Sequence, residues 1–328
     1  MIENQYVQSI REIRLMVTYD CNGRCRHCLS IQRKQTGCIP AKTAAAIICN
    51  LAQQIQLEKV TMFGGEPLLY PDTVEAVCRA AKQAGIQSSL ITNGGLWRDA
   101  DDMQTQAELL LSLAPDEIIL AVDTFHMEFI PLIRPYIFAG ILKDKGYSGL
   151  KLRPLWVKDR GDENIFNQET RECLRTFEHL QIPIDPGLVI QPEGSGQRYI
   201  ERFYQKGQLN DAFRCGSLAG TQSLSQPASI TIQPNGDVTV CNFTIGNIYQ
   251  NDPETILEEY DPGKDPAMAA LISDGLKGLI GYMEEAGIML NPNEYYSVCG
   301  LCSALQRMRR QGAAVVKENE RQEWQNKQ

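Results

Sequence analysis

No apolar run in this sequence approaches the ~20 residues that a bilayer crossing needs, so a membrane-spanning helix is not expected. The first ten residues, Met1 to Ile10, are polar and lack the apolar centre of a secretion signal. Basic residues are not in excess: 32 Lys and Arg stand against 40 Asp and Glu, a formal net charge of −8. That balance argues against a nucleic-acid partner held through phosphate contacts. There is no internal repeat. Without an export signal, the eleven cysteines are expected in a reducing cytoplasm, where they serve metal or redox chemistry rather than bridges. What is present is 328 residues of ordinary globular composition, enough for one large α/β barrel domain or for a domain with an appendage.

Strands are expected at Ile13–Thr18, Val60–Phe63, Ile86–Thr92, Glu117–Val122, Leu150–Val157 and Ile182–Ile190. Helical periodicity falls between them, at Ala41–Gln56, Asp72–Ala84, around Ala107–Leu113 and at Glu169–Leu180. Pro131 and Pro135 break or kink any helix over Met127–Lys143, and Pro183 and Pro186 make the sixth strand an edge or irregular one. Alternation of this kind predicts a parallel sheet, since each crossover needs a helix. Six units do not close an eight-stranded barrel, so the expected fold is α/β, an open partial (β/α)6 barrel. From Gln191 the pattern changes, with a Pro192–Gly196 turn. A hairpin is expected over Ile230–Cys241 around Asn235-Gly236, then helices at Pro253–Tyr260 and Ala267–Ala286, and a charged helical tail from Ser303. The expected domains are 1–190 and 191–328.

Three cysteines, Cys21, Cys25 and Cys28, form C-x3-C-x2-C directly after the first strand. Three thiolates at this spacing can grip three irons of a cubic 4Fe–4S cluster, and no fourth cysteine follows at ligand spacing, so one iron stays open to a small ligand. A zinc knuckle that recruits His27 is the rival, although zinc wants four ligands and usually shows two cysteine pairs. In parallel α/β folds the functional residues gather at the carboxyl ends of strands. Gly64-Gly65-Glu66-Pro67, Asn93 and Asp123 follow strands two, three and four, on the same expected rim as the cysteines. Late in the chain stand Cys215, Cys241 and the pair in Cys299-Gly300-Leu301-Cys302. Their residue types fit a second iron–sulfur cluster or a structural zinc.

The cysteine loop resembles the signature of the radical SAM superfamily. That resemblance implies an open iron that chelates S-adenosylmethionine, and a reduced cluster that splits it to a 5′-deoxyadenosyl radical. It implies that Gly64, Gly65 and Glu66 meet the methionyl amine, and that Asn93 and Asp123 contact the ribose and methionyl moieties. Arg153 is a candidate for the carboxylate, beside the alternative of a structural ion pair, and the backbone at Val189–Gln191 would flank the adenine. Cys215, the hairpin ending at Cys241, Gly246-Asn247-Ile248 and the late C-x2-C resemble the twitch domain, a shortened SPASM extension. For these four cysteines that implies an auxiliary 4Fe–4S cluster.

Asp123-Thr124-Phe125-His126 and the Cys299–Cys302 end resemble peptide-modifying members, including epipeptide epimerases. The reaction so implied is C–H abstraction from a ribosomally made precursor peptide, with reduced flavodoxin or ferredoxin as electron donor. Epimerases return hydrogen from a cysteine beside the hairpin ligand; here Asn242 follows Cys241, a departure. Cys38 is then a candidate hydrogen-atom donor or a plain loop thiol. Asp211 is a candidate proton acceptor or a solvated surface carboxylate. His126 either orients substrate or Asp123, or caps a helix. Trp156 lines either a pocket or the core. About a dozen residues precede the first strand, fewer than the ~80 of a leader-binding module. That weakens the peptide reading without removing it; the rival is a small-molecule dehydrogenase like the twitch-domain enzymes of aminoglycoside biosynthesis. A bare electron carrier would leave the rim without purpose.

Overall fold

The computed structural model describes residues 1–28, 36–96, 99–193, 196–217 and 221–325. Gly194 and Ser195 of the expected turn lie outside them. The strands are β1 (Glu12–Met16), β2 (Lys59–Phe63), β3 (Gln87–Thr92), β4 (Glu117–Ala121), β5 (Leu150–Arg153), β6 (Leu155–Val157), β7 (Leu188–Ile190), β8 (Ser229–Ile232), β9 (Asp237–Val240) and β10 (Phe243–Asn247). The helices are α1 (Ala41–Gln54), α2 (Pro71–Ala84), α3 (Ala100–Leu113), α4 (Thr124–Met127), α5 (Ile133–Asp144), α6 (Ile165–Arg175), α7 (Gln197–Ile200), α8 (Pro253–Glu258), α9 (Pro266–Glu285) and α10 (Val298–Gln325). No helix among the described residues is long and apolar enough to cross a membrane.

One sheet runs in the order β10-β9-β8-β1-β2-β3-β4-β5, and a second pairs β6 with β7. Neighbours from β1 to β5 are parallel, as alternation with helices requires. The fold is α/β with a parallel sheet, consistent with a partial barrel. Along β1, Ile13, Leu15 and Val17 are fully buried, as are Val60 and Met62 in and around β2 and Ile118 and Leu120 in β4. Each such side chain stabilises the fold by about 1.5–3 kcal/mol relative to exposure. The alternate positions carry the polar set: Glu12, Arg14, Lys59, Thr61, Ser89, Glu117, Lys151 and Arg153. Strand periodicity puts these on the opposite face.

The helices stop where local chemistry stops them. Pro71 opens α2, where its missing N–H is harmless, and Gly85 closes it in the left-handed region at φ 70°. Asn164 caps α6 by accepting from Asn167 N. The expected fifth strand is two strands, divided at Pro154, which has no N–H to donate. The sixth shortens to β7, with one isolated bridge from Leu152 to Ile184. The expected break near Pro131 separates α4 from α5, while Pro135 sits inside the first turn of α5.

The chain forms two compact units, and they do not divide at residue 190. The first holds 1–204, 225–240 and 244–261. Its reach past 190 has a plain cause: β8 pairs in parallel with β1, with Arg14 opposite Thr231, and carries its antiparallel partner β9 along. Asn247 fastens this hairpin by donating to Asn235 O and Asp237 Oδ1, both at 3.0 Å. The second unit holds 205–224, 241–243 and 262–328. Its long helix α9 is kinked at Gly275, whose φ of 59° and ψ of −128° are not helical.

Candidate functional site

In the first unit the ends of β1 to β4 bring the cysteine loop, Gly64-Gly65-Glu66, Asn93 and Asp123 to one rim. The loop folds so that the Cys21 and Cys25 sulfurs stand 3.8 and 3.5 Å from where a Gly23 side chain would begin. Cys21 Sγ accepts from Gly23 N at 3.3 Å. Burial raises the Cys25 thiol, and the charges of Asp123, Cys21 and Cys28 raise it further. Cys21 is raised by burial, with Glu66 and Cys28 adding to it. Cys21 and Cys28 thus oppose ionisation of Cys25, and Cys28 that of Cys21, which is the environment a metal cluster's positive charge relieves. Among the described residues no group of three or more His, Cys, Asp or Glu stands ready for a single metal ion. A cubane asks for something else, since each thiolate grips a different iron. The donor set fits that group.

The two glycines are required by the protein's own chain. A Cβ at Gly65 would lie 1.9 Å from Asp20 O, and one at Gly64 would lie 2.5 Å from Thr18 O. In their place Gly65 N donates to Thr18 O and Glu66 N to Asp20 O, both at 2.8 Å. The turn after β2 is thereby bonded to the residues just before Cys21. Gly65→Ala is therefore expected to cost about 1–3 kcal/mol, as overpacked sites do, read as a lowered urea midpoint. A midpoint equal to wild type would show that the close approach is no constraint.

Glu66 is fully buried. Its Oε1 accepts from Thr92 Oγ1 at 2.8 Å and Leu68 N at 3.1 Å, and its Oε2 from Asn93 N at 2.9 Å. Burial raises its pKa against the pull of those donors. Asn93 passes the connection on, donating through Nδ2 to Asn22 Oδ1 at 2.7 Å, inside the cysteine loop. Asp123 is also fully buried. Its Oδ1 accepts from Phe125 N and His126 N at 3.0 Å, capping α4, and its Oδ2 meets His126 Nδ1 at 2.7 Å. Burial pulls the His126 pKa down, but the adjoining Asp123 carboxylate overrides it and holds it above the ordinary value.

His27 packs between Phe125 and His126, with ring centroids 5.5 and 4.9 Å away. Burial and the charge of His126 lower its pKa to about 4, so it is neutral; its buried Nδ1 has no hydrogen-bond partner. Arg26 pairs with Glu128 at 2.6 Å. Sequence reasoning missed these supports: a histidine and an arginine between cysteines carry no periodic signal, and Glu128 is distant in the chain.

Cys38 bridges to Thr18; burial raises its thiol pKa, with Thr73 hydrogen-bonding to it. Arg153 Nη2 pairs with Asp185 Oδ2 at 2.8 Å, while its buried Nε has no partner. Trp156 is buried and donates to Pro186 O at 2.9 Å. Of the spare cysteines, Cys78 is buried, and burial pushes its thiol up to about 12.

The other four cysteines belong to the second unit. Cys241 follows β9 in the left-handed region at φ 52°, uncommon for a residue with a side chain. Cys215 is pushed up to about 12 by burial and then by Cys241 and Cys299. Cys302 is raised by burial and by Cys215, Cys299 and Cys241, and the Asn242 side chain hydrogen-bonds to it. All four thiols therefore share one electrostatic neighbourhood, a donor set that fits a four-cysteine cluster. Asp211, in the same unit, is exposed.

Residues 15–143 match the family model described as Radical SAM superfamily, a stretch that contains the loop, both glycines, Glu66, Asn93 and Asp123. That stretch is similar to a radical SAM domain. Among curated proteins, the GTP 3′,8-cyclase of Chlorobaculum tepidum is 27% identical over 199 residues, 56% of this chain and 58% of the cyclase. The chain thus spans little more than half of that relative. Among solved structures, Streptococcus suis SuiB bound to S-adenosylmethionine superposes with a TM-score of 0.57 at 18% identity, over 82% of this chain and 69% of SuiB. SuiB bound to its precursor peptide SuiA gives 0.54 at 17%, over 90% and 77%. At these identities the likeness is one of fold.

Proposed function

We propose that this chain is a radical SAM enzyme that abstracts a C–H hydrogen from a ribosomally made peptide, leading to a crosslink, an oxidation or an epimer. The observation that carries the radical chemistry is the convergence of Cys21, Cys25 and Cys28 with Gly64-Gly65-Glu66, Asn93 and Asp123 at one rim. Bound to those thiolates, a 4Fe–4S cluster supplies the electron that splits S-adenosylmethionine into methionine and a 5′-deoxyadenosyl radical. The chain's residues do the holding. Cys21, Cys25 and Cys28 ligate three irons. Glu66 sets the turn after β2 against Asn93, and Asn93 holds Asn22, so that loop and turn present one surface to the methionyl and ribose groups. Arg153, whose buried Nε has no partner beside its ion pair with Asp185, meets the cofactor's carboxylate in this reading. Cys215, Cys241, Cys299 and Cys302 hold an auxiliary cluster, and Asp211, four residues before Cys215, accepts the substrate's proton. Cys38 or His126 serves the substrate radical.

The peptide reading rests on the resemblance of Asp123–His126 and Cys299–Cys302 to peptide-modifying enzymes, and SuiB, solved with a precursor peptide, shares the fold. The second reading, a small-molecule substrate, is supported by relatives named for GTP. Mass analysis of a coexpressed neighbouring peptide, with 5′-deoxyadenosine measured alongside, separates them: deoxyadenosine with an unchanged set of candidate peptides rejects the peptide reading. Anaerobic reconstitution should give about seven to eight irons per chain, as two cubanes require. About four irons with bound zinc would reject the auxiliary cluster.

A further inference from the structure

The polar face of the first unit's sheet holds four cations in the parallel strands, and three of them are paired. Lys59 meets Glu117 at 2.7 Å, Lys151 pairs with the same carboxylate, and Arg153 pairs with Asp185. Glu12 accepts from the Thr61 hydroxyl. Arg14 is the exception. Its guanidinium lies over the Phe63 ring, 5.3 Å from the centroid, and among the described residues no carboxylate pairs with it. The strand registers set Arg14 in a row with Thr231 on β8, Thr61 on β2, Ser89 on β3 and Glu117 on β4. Above it, toward the rim, Met16 and Phe63 stand opposite one another. Arg14 is four residues before Thr18, where the strand meets the glycine turn, about 13 Å at strand rise. Its Cα is thus well below the rim, while its side chain is half-buried on the sheet face.

A half-buried arginine without a counter-ion carries a desolvation cost that a bound anion repays. The Phe63 ring attracts the guanidinium by cation–π interaction, and an arginine fork matches two oxygens of a carboxylate or phosphate. Thr231 stands opposite it in the row. We propose that Arg14 is a substrate-binding residue that receives an anionic group, carboxylate or phosphate, of the molecule whose C–H bond reacts at the rim. This rests on the radical reading above and names the substrate's chemistry for that site. A neutral substrate would leave Arg14 unmatched.

The test uses the reconstituted protein, with inorganic pyrophosphate and succinate as probes, each titrated calorimetrically against wild type, Arg14→Gln and Arg14→Lys. Saturable binding of one probe to wild type is expected, weakened tenfold or more in Arg14→Gln and less in Arg14→Lys; which probe binds assigns phosphate or carboxylate. Each variant's melting midpoint is recorded, and if Arg14→Gln does not fold, the Lys variant decides through a smaller loss. No saturation by either probe, or equal binding by wild type and the variants, overturns the proposal. Cleavage of S-adenosylmethionine by wild type is measured separately. Its failure counts against the radical reading, while the anion titration still decides Arg14.

Discussion

Cys25→Ala is expected to bring 5′-deoxyadenosine formation down to the uncatalysed background. Cys25 is the most buried of the three loop cysteines and feels both of the others. Without it two thiols remain, too few to hold three irons. The loop itself should stay in place, because Asn93 to Asn22 and Arg26 to Glu128 are independent of the sulfur. The variant should therefore lose iron at the first site while keeping the auxiliary cluster proposed for the second unit, so that the iron content per chain falls by about half. Anaerobic turnover with dithionite, followed by chromatography of the nucleoside, is the measurement. Persistent cleavage of S-adenosylmethionine would sink the radical reading.

Asp123→Ala is expected to lower stability by about 3 kcal/mol. Breaking a buried ion pair by removing one partner leaves the other without compensation, and α4 loses its cap as well. The figure sits at the low end because His126 can shed its proton. The pair's contribution also depends on pH. Asp123 has its pKa lowered in the fold, by His126 against the raising effect of burial. Its contribution is present above the ordinary aspartate value and fades as pH falls through the lowered one. His126 is raised, so its contribution is full below the ordinary histidine value and fades as pH rises through the raised one. The window of full effect runs from about pH 4 to pH 6.5. Urea unfolding across pH should show wild type and variant furthest apart there; a constant difference from pH 4 to pH 9 would show that the pair is not ionised.

The cysteine loop was legible because its C-x3-C-x2-C spacing is local. The rim was legible because strand ends can be read from runs of apolar residues. Gly64 and Gly65 stood out only as contacts for the methionyl amine; their close approach to Thr18 and Asp20, over 40 residues away, is made by the fold alone. The break in the fifth strand was hidden because Leu155, Trp156 and Val157 continue the apolar run past Pro154. Asn235-Gly236 marked the hairpin, yet nothing local says that β8 will pair with β1, more than 200 residues earlier. That pairing is what carries the first unit past residue 190. Arg14 sits in a strand like any polar residue, and its lack of a counter-ion is visible only when the carboxylates of every neighbouring strand have been placed. Asn242 was conspicuous as a departure, and its hydrogen bond to Cys302 needs the fold of the second unit.

The segmented make-up of the two units has a consequence for cutting the chain. The polypeptide passes between them at 204/205, 224/225, 240/241, 243/244 and 261/262. No single scission therefore frees either unit. A nick between Gln205 and Leu224 leaves β8 hydrogen-bonded to β1, and Cys241 is joined directly to the end of β9. A fragment stopped at residue 204 would expose the whole edge of β1 and lack all four late cysteines. The unit that reads as an N-terminal half is a patchwork, and trimming the gene at residue 204 takes β8 and β9 away along with the second unit.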